Sequence, residues 1–263
     1  MKAKKSLGQH FLKSERALLT MVETSNVSAD DTVLEIGPGT GTLTEKLLAT
    51  HCRLIAVEKD DELCALLKQK FQKEIASGQL TLINDDILKF IENSKLKIEN
   101  YKLIANIPYN ITGAVFKKFL ETTHQPKTMT LLVQKEVAER IVARNNKESI
   151  LSISVKAYGT PRYVERVLAG SFAPMPQVDS AIIAVENISK EFFGDFSEKE
   201  FFQMLKEGFK SKRKKLSSNL ATKFDKNRVQ NAFQELNLNE NLRAEDVDIK
   251  TWAKLAENLS NRG

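Results

Sequence analysis

The sequence predicts an α/β fold: a mostly parallel sheet within residues 1–190, followed by a small all-α domain over residues 191–263. Three observations predict it. Short apolar runs alternate with helix-period stretches from residue 32 to residue 186, the pattern of parallel strands joined by crossover helices. A glycine-rich turn, Gly37-Pro38-Gly39-Thr40-Gly41-Thr42, lies where the first run hands over to a helix. Beyond Glu186 no convincing strand follows, and helical periodicity takes over.

Seven runs are strand candidates: Thr32–Ile36, Leu54–Val57, Leu80–Ile83, Leu103–Ala105, Thr130–Val133, and two later ones near Tyr163–Leu168 and Ala181–Val185. Between them Leu43-Leu47-Leu48, Leu63-Leu66-Leu67-Phe71, Val115-Phe116-Phe119-Leu120 and Val137-Ile141 recur at three and four residues. That spacing gives each helix one apolar face to lay on a sheet. A polar stretch through Ser189-Lys190-Glu191 and Gly194-Asp195 marks the domain boundary. After it, Phe201-Phe202-Leu205-Phe209, Leu216-Leu220-Phe224, Val229-Phe233-Leu236 and Trp252-Leu255-Ala256-Leu259 read as buried helical stripes.

With 263 residues, 41% hydrophobic and 28% charged, the chain can bury a full core, and disorder is excluded as its default state. Cys52 and Cys64 are too few for a disulfide framework and lack zinc-site spacing, which fits a reducing compartment. The cationic start, Met1-Lys2-Ala3-Lys4-Lys5, runs into Ser6-Leu7-Gly8-Gln9-His10 instead of the apolar region of a signal peptide. No apolar run approaches the roughly 18 residues of a membrane span. A cytoplasmic protein without a membrane partner is expected.

Forty Lys plus Arg against 34 Asp plus Glu give a net charge of +6, a tilt toward nucleic acid. Between Lys206 and Lys215 six of ten residues are basic, and Glu207 is the only acid. A solvated helix face is the plain alternative for such a cluster.

In the glycine turn a Cβ would obstruct both the tight bend and a ligand lying against the main chain. A dinucleotide fingerprint wants glycine at position 42, where Thr42 stands, so the turn suits another adenosine-bearing cofactor, or is a plain loop. Glu58, ending the second strand, is placed to accept both ribose hydroxyls; alternatively it is a solvated residue before a helix capped by Asp60. Asp86, after the third strand, suits an adenine amino group, or else caps a helix. Asn106-Ile107-Pro108-Tyr109-Asn110, after the fourth strand, matches the demands of methylating an exocyclic amine. That nitrogen's lone pair is delocalised into the purine ring, so a site must accept its N–H hydrogens and hold it in line with a methyl donor. Asn106 Oδ1 and the Ile107 carbonyl can accept, Pro108 fixes the turn, and Tyr109 offers a face on which an extruded base can stack.

Asn-Ile-Pro-Tyr after a fourth strand, with Glu-Ile-Gly-Pro-Gly-Thr-Gly at the first, resembles the class I S-adenosylmethionine-dependent rRNA adenine N6-methyltransferases. Gly8-Gln9-His10-Phe11-Leu12 resembles the family's N-terminal segment that closes over the cofactor, with His10 where Asn is more usual. Gln134-Lys135-Glu136-Val137-Ala138 resembles its fifth-strand-to-helix junction. Phe172-Ala173-Pro174-Met175-Pro176-Gln177-Val178-Asp179-Ser180 resembles the late loop whose aromatic, here Phe172, sandwiches the target base opposite Tyr109. Phe209 to Leu220 looks like the basic helix of the small-subunit rRNA adenine dimethyltransferases, the kasugamycin-sensitivity family.

The resemblance spans nearly the whole chain, with its motifs in the family's order. It implies a Rossmann-like, mostly parallel seven-stranded sheet with a small all-α C-terminal domain that contacts rRNA. It further implies S-adenosyl-L-methionine held by His10, Leu12, Gly37, Gly39, Gly41, Glu58, Asp86 and Asn106. Asn106, Ile107, Pro108, Tyr109 and Phe172 would act on the base, and Lys210, Lys212, Arg213, Lys214 and Lys215 would meet RNA phosphates. The implied substrate is a pair of adjacent adenosines in the 3′-terminal stem-loop of 16S rRNA within a 30S-type particle, dimethylated at N6 during ribosome biogenesis. A monomer is expected, and no metal, since His10 has no second ligand beside it. The rival readings are a large-subunit (23S) methyltransferase of the antibiotic-resistance type, against which the basic stretch argues, and a non-catalytic RNA-binding assembly or transcription factor. A dehydrogenase would leave Asn-Ile-Pro-Tyr unexplained.

Overall fold

A computed structural model describes residues 9–93, 98–194 and 196–259. The basic start Met1–Lys5, Gly8 of the N-terminal motif and Asp195 of the expected linker lie outside the described residues. In chain order the first compact unit contains β1 (Phe11–Leu12), α1 (Glu15–Thr24), β2 (Thr32–Ile36), α2 (Thr42–Leu48), β3 (Arg53–Glu58), α3 (Asp61–Lys70), α4 (Gln72–Ala76), β4 (Leu80–Asn84), α5 (Ile87–Asn93), β5 (Tyr101–Asn106), α6 (Thr112–Glu121) and β6 (Thr128–Gln134). After α7 (Lys135–Ile141) and α8 (Ile150–Lys156) come β7 (Thr160–Val167), β8 (Phe172–Ala173) and β9 (Ser180–Glu186), which return to that unit.

Seven strands form one sheet in the order β4-β3-β2-β5-β6-β9-β7. β9 is antiparallel to both its neighbours, and the other strand pairs are parallel. β2, β5, β6 and β9 are buried almost throughout, which is why each reads as a continuous apolar run instead of an alternating one. β7, at the sheet edge, is half-buried along most of its length. Its pairing with β9 carries an irregularity between Tyr163 and Glu165. Several strands extend past their apolar runs through Arg53, Glu58, Tyr101, Asn106 and Thr160, where ladder pairing recruits residues that hydropathy alone does not mark.

Three elements carried no periodic signal: β1, β8 and α8. β1 and β8 pair antiparallel as a separate two-stranded ribbon, Phe11 opposite Ala173 and Leu12 opposite Phe172. α8 begins at a reciprocal cap in which Ser149 and Ser152 bond each other's backbone N–H groups.

The second compact unit gathers Glu139–Gly159 with Ser189–Gly263. The single boundary expected at 190 therefore does not hold for residues 139–159, because Tyr158 donates to Glu198 Oε1 and the Glu148 N–H donates to the Glu245 carbonyl. The helices here are α8, α9 (Glu198–Gly208), α10 (Leu216–Leu220), α11 (Lys226–Glu235) and α12 (Ile249–Leu259). Phe201, Leu205, Val229, Phe233, Trp252 and Leu255 are their buried stripes.

The basic stretch is not a helix: α9 stops at Gly208, and residues 209–215 form a turn before α10. Asn219 Nδ2 holds the turn by donating to the carbonyls of Gly208 (2.7 Å) and Ser211 (3.0 Å). Gly208 ends α9 against the Trp252 ring, which a Cβ there would meet at 2.4 Å. Gly208→Ala is accordingly expected to destabilise the protein by about 1–3 kcal/mol through overpacking, read as a lower thermal midpoint. An unchanged midpoint would contradict that packing.

Candidate active site

β2 leads to β3 on one side of the sheet, while β5 lies on its other side, so the chain reverses direction at the carboxyl ends of β2 and β5. Ligands of open α/β sheets bind at such a crevice. The cleft there is lined by His10, Leu12, Gly37, Gly39, Glu58, Asp86, Asn106, Ile107, Pro108 and Tyr109. Phe11, Glu35, Thr42, Leu63, Ile87 and Leu88 also line it and were not among the residues expected to face a ligand.

The glycine turn works as its chemistry requires at two positions. Gly39 has φ +59°, and a Cβ on it would sit 3.0 Å from the Phe11 ring. Gly41 has φ +79° and starts α2, but it is not at the cleft: its Cβ would lie 2.6 Å from the Phe71 ring. What the absence of a Cβ at Gly41 permits here is close packing against α3 and Phe71.

Glu58 is buried, not solvated. Its Oε2 accepts from Gly39 N (3.0 Å) and its Oε1 from Asp60 N (2.9 Å), so the end of β3 braces the glycine turn. Burial pushes its carboxyl above the ordinary range, against the pull of those N–H groups. Asp60 caps α3 through Glu62 N, as the sequence allowed. Asp86 caps α5 through Leu88 N (3.0 Å) and pairs with Lys59 Nζ (2.8 Å), which holds its carboxyl below the usual value.

Glu35 is a charged residue inside the apolar run of β2, a visible anomaly in the sequence. It lies buried at the cleft wall, where its Oε2 accepts from Thr44 Oγ1 (2.8 Å). Burial pushes its carboxyl up to about 8; the Thr44 bond opposes this, and the negative charge of Glu58 adds to it. A carboxyl raised on folding stabilises the protein fully below its unfolded value, and that contribution is lost as pH rises through about 8. Glu35→Gln is therefore expected to flatten the decline of the thermal midpoint over that interval and to exceed the unsubstituted protein at about pH 8.5. Parallel midpoint curves for the two proteins would refute this.

Asn106, the last residue of β5, donates from Nδ2 to the His10 carbonyl (3.1 Å). Pro108 precedes a short 3-10 turn, Tyr109–Ile111, that leads into α6. The Tyr109 hydroxyl shares a hydrogen bond with Ser180 Oγ (2.7 Å), and burial raises its phenol, keeping it neutral. Residues 9–12 cross the cleft on three tethers: Asp60 Oδ2 accepts from Gln9 Nε2, Asn106 holds the His10 carbonyl, and Thr42 Oγ1 donates to the Leu12 carbonyl.

Phe172 is not at the cleft. It is buried in the hydrophobic core that also holds Leu12, Val167 and Ile182, and its backbone pairs with Leu12 of β1. The ring stacked on Tyr109 is instead His10, with centroids 5.8 Å apart and planes 23° from parallel.

In the second unit Lys210, Lys212, Arg213, Lys214 and Lys215 are all exposed. Lys210 pairs with Glu207 (3.0 Å). Among the described residues no group of three or more His, Cys, Asp or Glu is placed to hold a metal ion, and no helix is long and apolar enough to cross a membrane.

This sheet order, with its single reversed strand and a glycine turn after the first parallel strand, is the class I methyltransferase fold. Two crystal structures share it across nearly the whole chain. One is a dimethyladenosine transferase from Plasmodium falciparum, with a TM-score of 0.79 and 26% identity over 94% of this chain and 96% of that one. The other is the 23S rRNA methyltransferase ErmE, with a TM-score of 0.77 and 25% identity over 95% and 99%. The sequence model of ribosomal RNA adenine dimethylase matches residues 1–261, and the chain belongs to that family. Among its relatives are the ribosomal RNA small subunit methyltransferases A of Dehalococcoides mccartyi strain CBDB1, 39% identical over 97% of this chain and 88% of that one, and of Nostoc sp. strain PCC 7120, 38% identical over 98% of each.

Proposed function

We propose that this protein transfers methyl groups from S-adenosylmethionine to N6 of two adjacent adenosines in the 3′-terminal stem-loop of small-subunit rRNA, giving N6,N6-dimethyladenosine during ribosome assembly in the cytoplasm. The observation that carries this reading is the meeting of Asn106 and Tyr109 with an acid-lined, glycine-floored cleft at the ends of β2, β3 and β5. Membership of the family and the small-subunit relatives support the substrate.

The donor set fits an adenosine-bearing cation. Glu58 and Asp86 are carboxylates, whose oxygens each have more than one lone pair, so their bonds to Gly39, Asp60, Leu88 and Lys59 leave room for ribose hydroxyls and an adenine amine. Leu63, Ile87 and Leu88 supply apolar contact for a purine. When bound, S-adenosylmethionine supplies an electrophilic sulfonium methyl.

Asn106 Oδ1 and the Ile107 carbonyl accept from the N6 hydrogens of an extruded adenine, while Tyr109 stacks on its face. The nitrogen lone pair forms the new C–N bond as the carbon–sulfur bond breaks. The proton leaves afterwards to water, when methylation has made the nitrogen acidic, so no strong base is required. Lys212, Arg213, Lys214 and Lys215 neutralise RNA phosphates of the 30S-type particle, which a monomer meets without reading base sequence.

Methyl transfer from labelled S-adenosylmethionine to undermethylated small subunits, run beside large-subunit RNA and followed by nucleoside analysis, tests the reading. Dimethyladenosine from the small subunit alone is expected. Label in the large-subunit RNA would move the substrate, and tight binding without label would remove the catalytic role.

A further inference from the structure

Tyr109, the stacking face for the target adenine, sits in the short 3-10 turn between β5 and α6, not on a strand. A tyrosine ring carried by a turn can swing at χ1, and its χ2 well is broad. A face that must hold a base in line with a methyl donor therefore needs support from outside the turn.

That support is at the far end of the ring. The Tyr109 hydroxyl and Ser180 Oγ lie 2.7 Å apart, and each has a hydrogen to give and lone pairs to receive. Burial, with the Asp179 charge adding to it, keeps the phenol proton in place against the pull of that bond. The hydroxyl lies on the axis about which the ring turns, so the bond fixes where that axis points. A phenol O–H also prefers the plane of its ring, so the same bond biases which way the face looks.

Ser180 is held by the sheet. It is fully buried as the first residue of β9, opposite Gln134 of β6 and Val167 of β7. Asp179 beside it is anchored three ways: its carbonyl accepts from Lys135 N (2.9 Å), its Oδ1 from Ala169 N (2.9 Å) and its Oδ2 from Arg166 Nε (2.9 Å). A hydroxyl buried at the head of the apolar run Ala181–Val185 is costly unless bonded, and Tyr109 supplies the bond. Ser180 does not line the cleft, so whatever it contributes there passes through Tyr109.

The geometry points to Ser180 as a positioning residue for methyl transfer: it ties the tyrosine of the β5–α6 turn to the sheet and so sets the tilt of the face on which the target adenine rests. This rests on the adenine-stacking reading of Tyr109.

The test uses the full-length protein with Ser180→Ala, Tyr109→Phe and the two together, each first confirmed to melt near the temperature of the unsubstituted protein. Methyl transfer to undermethylated small subunits gives kcat and KM, and calorimetry gives the Kd of S-adenosylmethionine without RNA. Ser180→Ala is expected to lower kcat on the order of tenfold, the effect of one lost hydrogen bond whose partner is left unpaired. KM and the cofactor Kd are expected to stay within about twofold, because RNA affinity comes mainly from phosphate contacts. Tyr109→Phe keeps the ring and loses the hydroxyl, so it is expected to match Ser180→Ala, and the double variant to lose no more than either alone. If Ser180→Ala does not fold, Tyr109→Phe carries the test through the same fall in kcat at unchanged KM. Losses that multiply in the double variant, or an unchanged kcat in either single variant, overturn the assignment. Failure of the unsubstituted protein to label small subunits at all would overturn the functional reading instead.

Discussion

Asn106→Ala is expected to lower methyl transfer about a hundredfold, the usual consequence of removing one pre-positioned hydrogen-bond partner from a reacting centre. Two effects combine. The lost Oδ1 no longer accepts from the target N6, and the lost Nδ2 releases the His10 carbonyl that it holds at 3.1 Å. Asn106 also stands among the residues expected to hold S-adenosylmethionine, so calorimetry of cofactor binding on the same variant separates the cofactor's share of the loss from the amine's. Asn106→Asp separates the two effects, because it keeps an acceptor oxygen while removing the donor to His10. Activity recovered by Asp assigns the loss to the amine; activity as low as that of Ala assigns it to the His10 tether. Unchanged turnover in Asn106→Ala would remove Asn106 from the mechanism.

Replacing Lys212, Arg213, Lys214 and Lys215 together with serine is expected to weaken binding to small subunits by on the order of a hundred- to a thousandfold at about 0.1 M salt. Each phosphate neutralised contributes about 0.7 to 0.9 to the slope of log affinity against log salt, so with four such contacts the slope flattens by about 2.8 to 3.6. The turn between α9 and α10 strengthens this expectation. A helix aims cations at fixed intervals around its axis, whereas exposed cations on an irregular turn point several ways and can follow an RNA backbone. Lys210 is left in place because it is engaged with Glu207. Weaker binding with an unchanged salt slope would show that the four residues do not meet phosphate.

The sheet was legible because its strands are buried on both faces, so apolar runs alone mark them. Glu58 and Asp86 were legible as acids following such runs, and in the structure each also takes part in a turn or cap that local sequence suggests. Glu35 was missed although it is a charge within an apolar strand, and its partner Thr44 lies on α2, beyond what periodicity reveals. The strand that carries Phe172 was not legible because two residues have no period, and its pairing is with Leu12, far away in sequence. The run Ile150-Leu151-Ser152-Ile153-Ser154-Val155 in α8 alternates more like a strand than a helix, and only the Ser149 cap announces the helix. The basic stretch was read as helical because its turn is held by Asn219 reaching back to Gly208 and Ser211.

The place of β9 between β6 and β7 has a consequence for the chain as it is synthesised. β4, β3, β2, β5 and β6 can assemble in parallel as soon as residue 134 has emerged. The outer edge of β6, with Met129, Leu131, Leu132 and Val133, then stays unpaired until Ser180–Glu186 arrive, and β7 waits beside it without its partner. An apolar edge open over some fifty residues of translation invites pairing with another nascent chain. Insertion of β9 closes that interval, so premature release before residue 186 is the point in synthesis at which this protein is most exposed to aggregation.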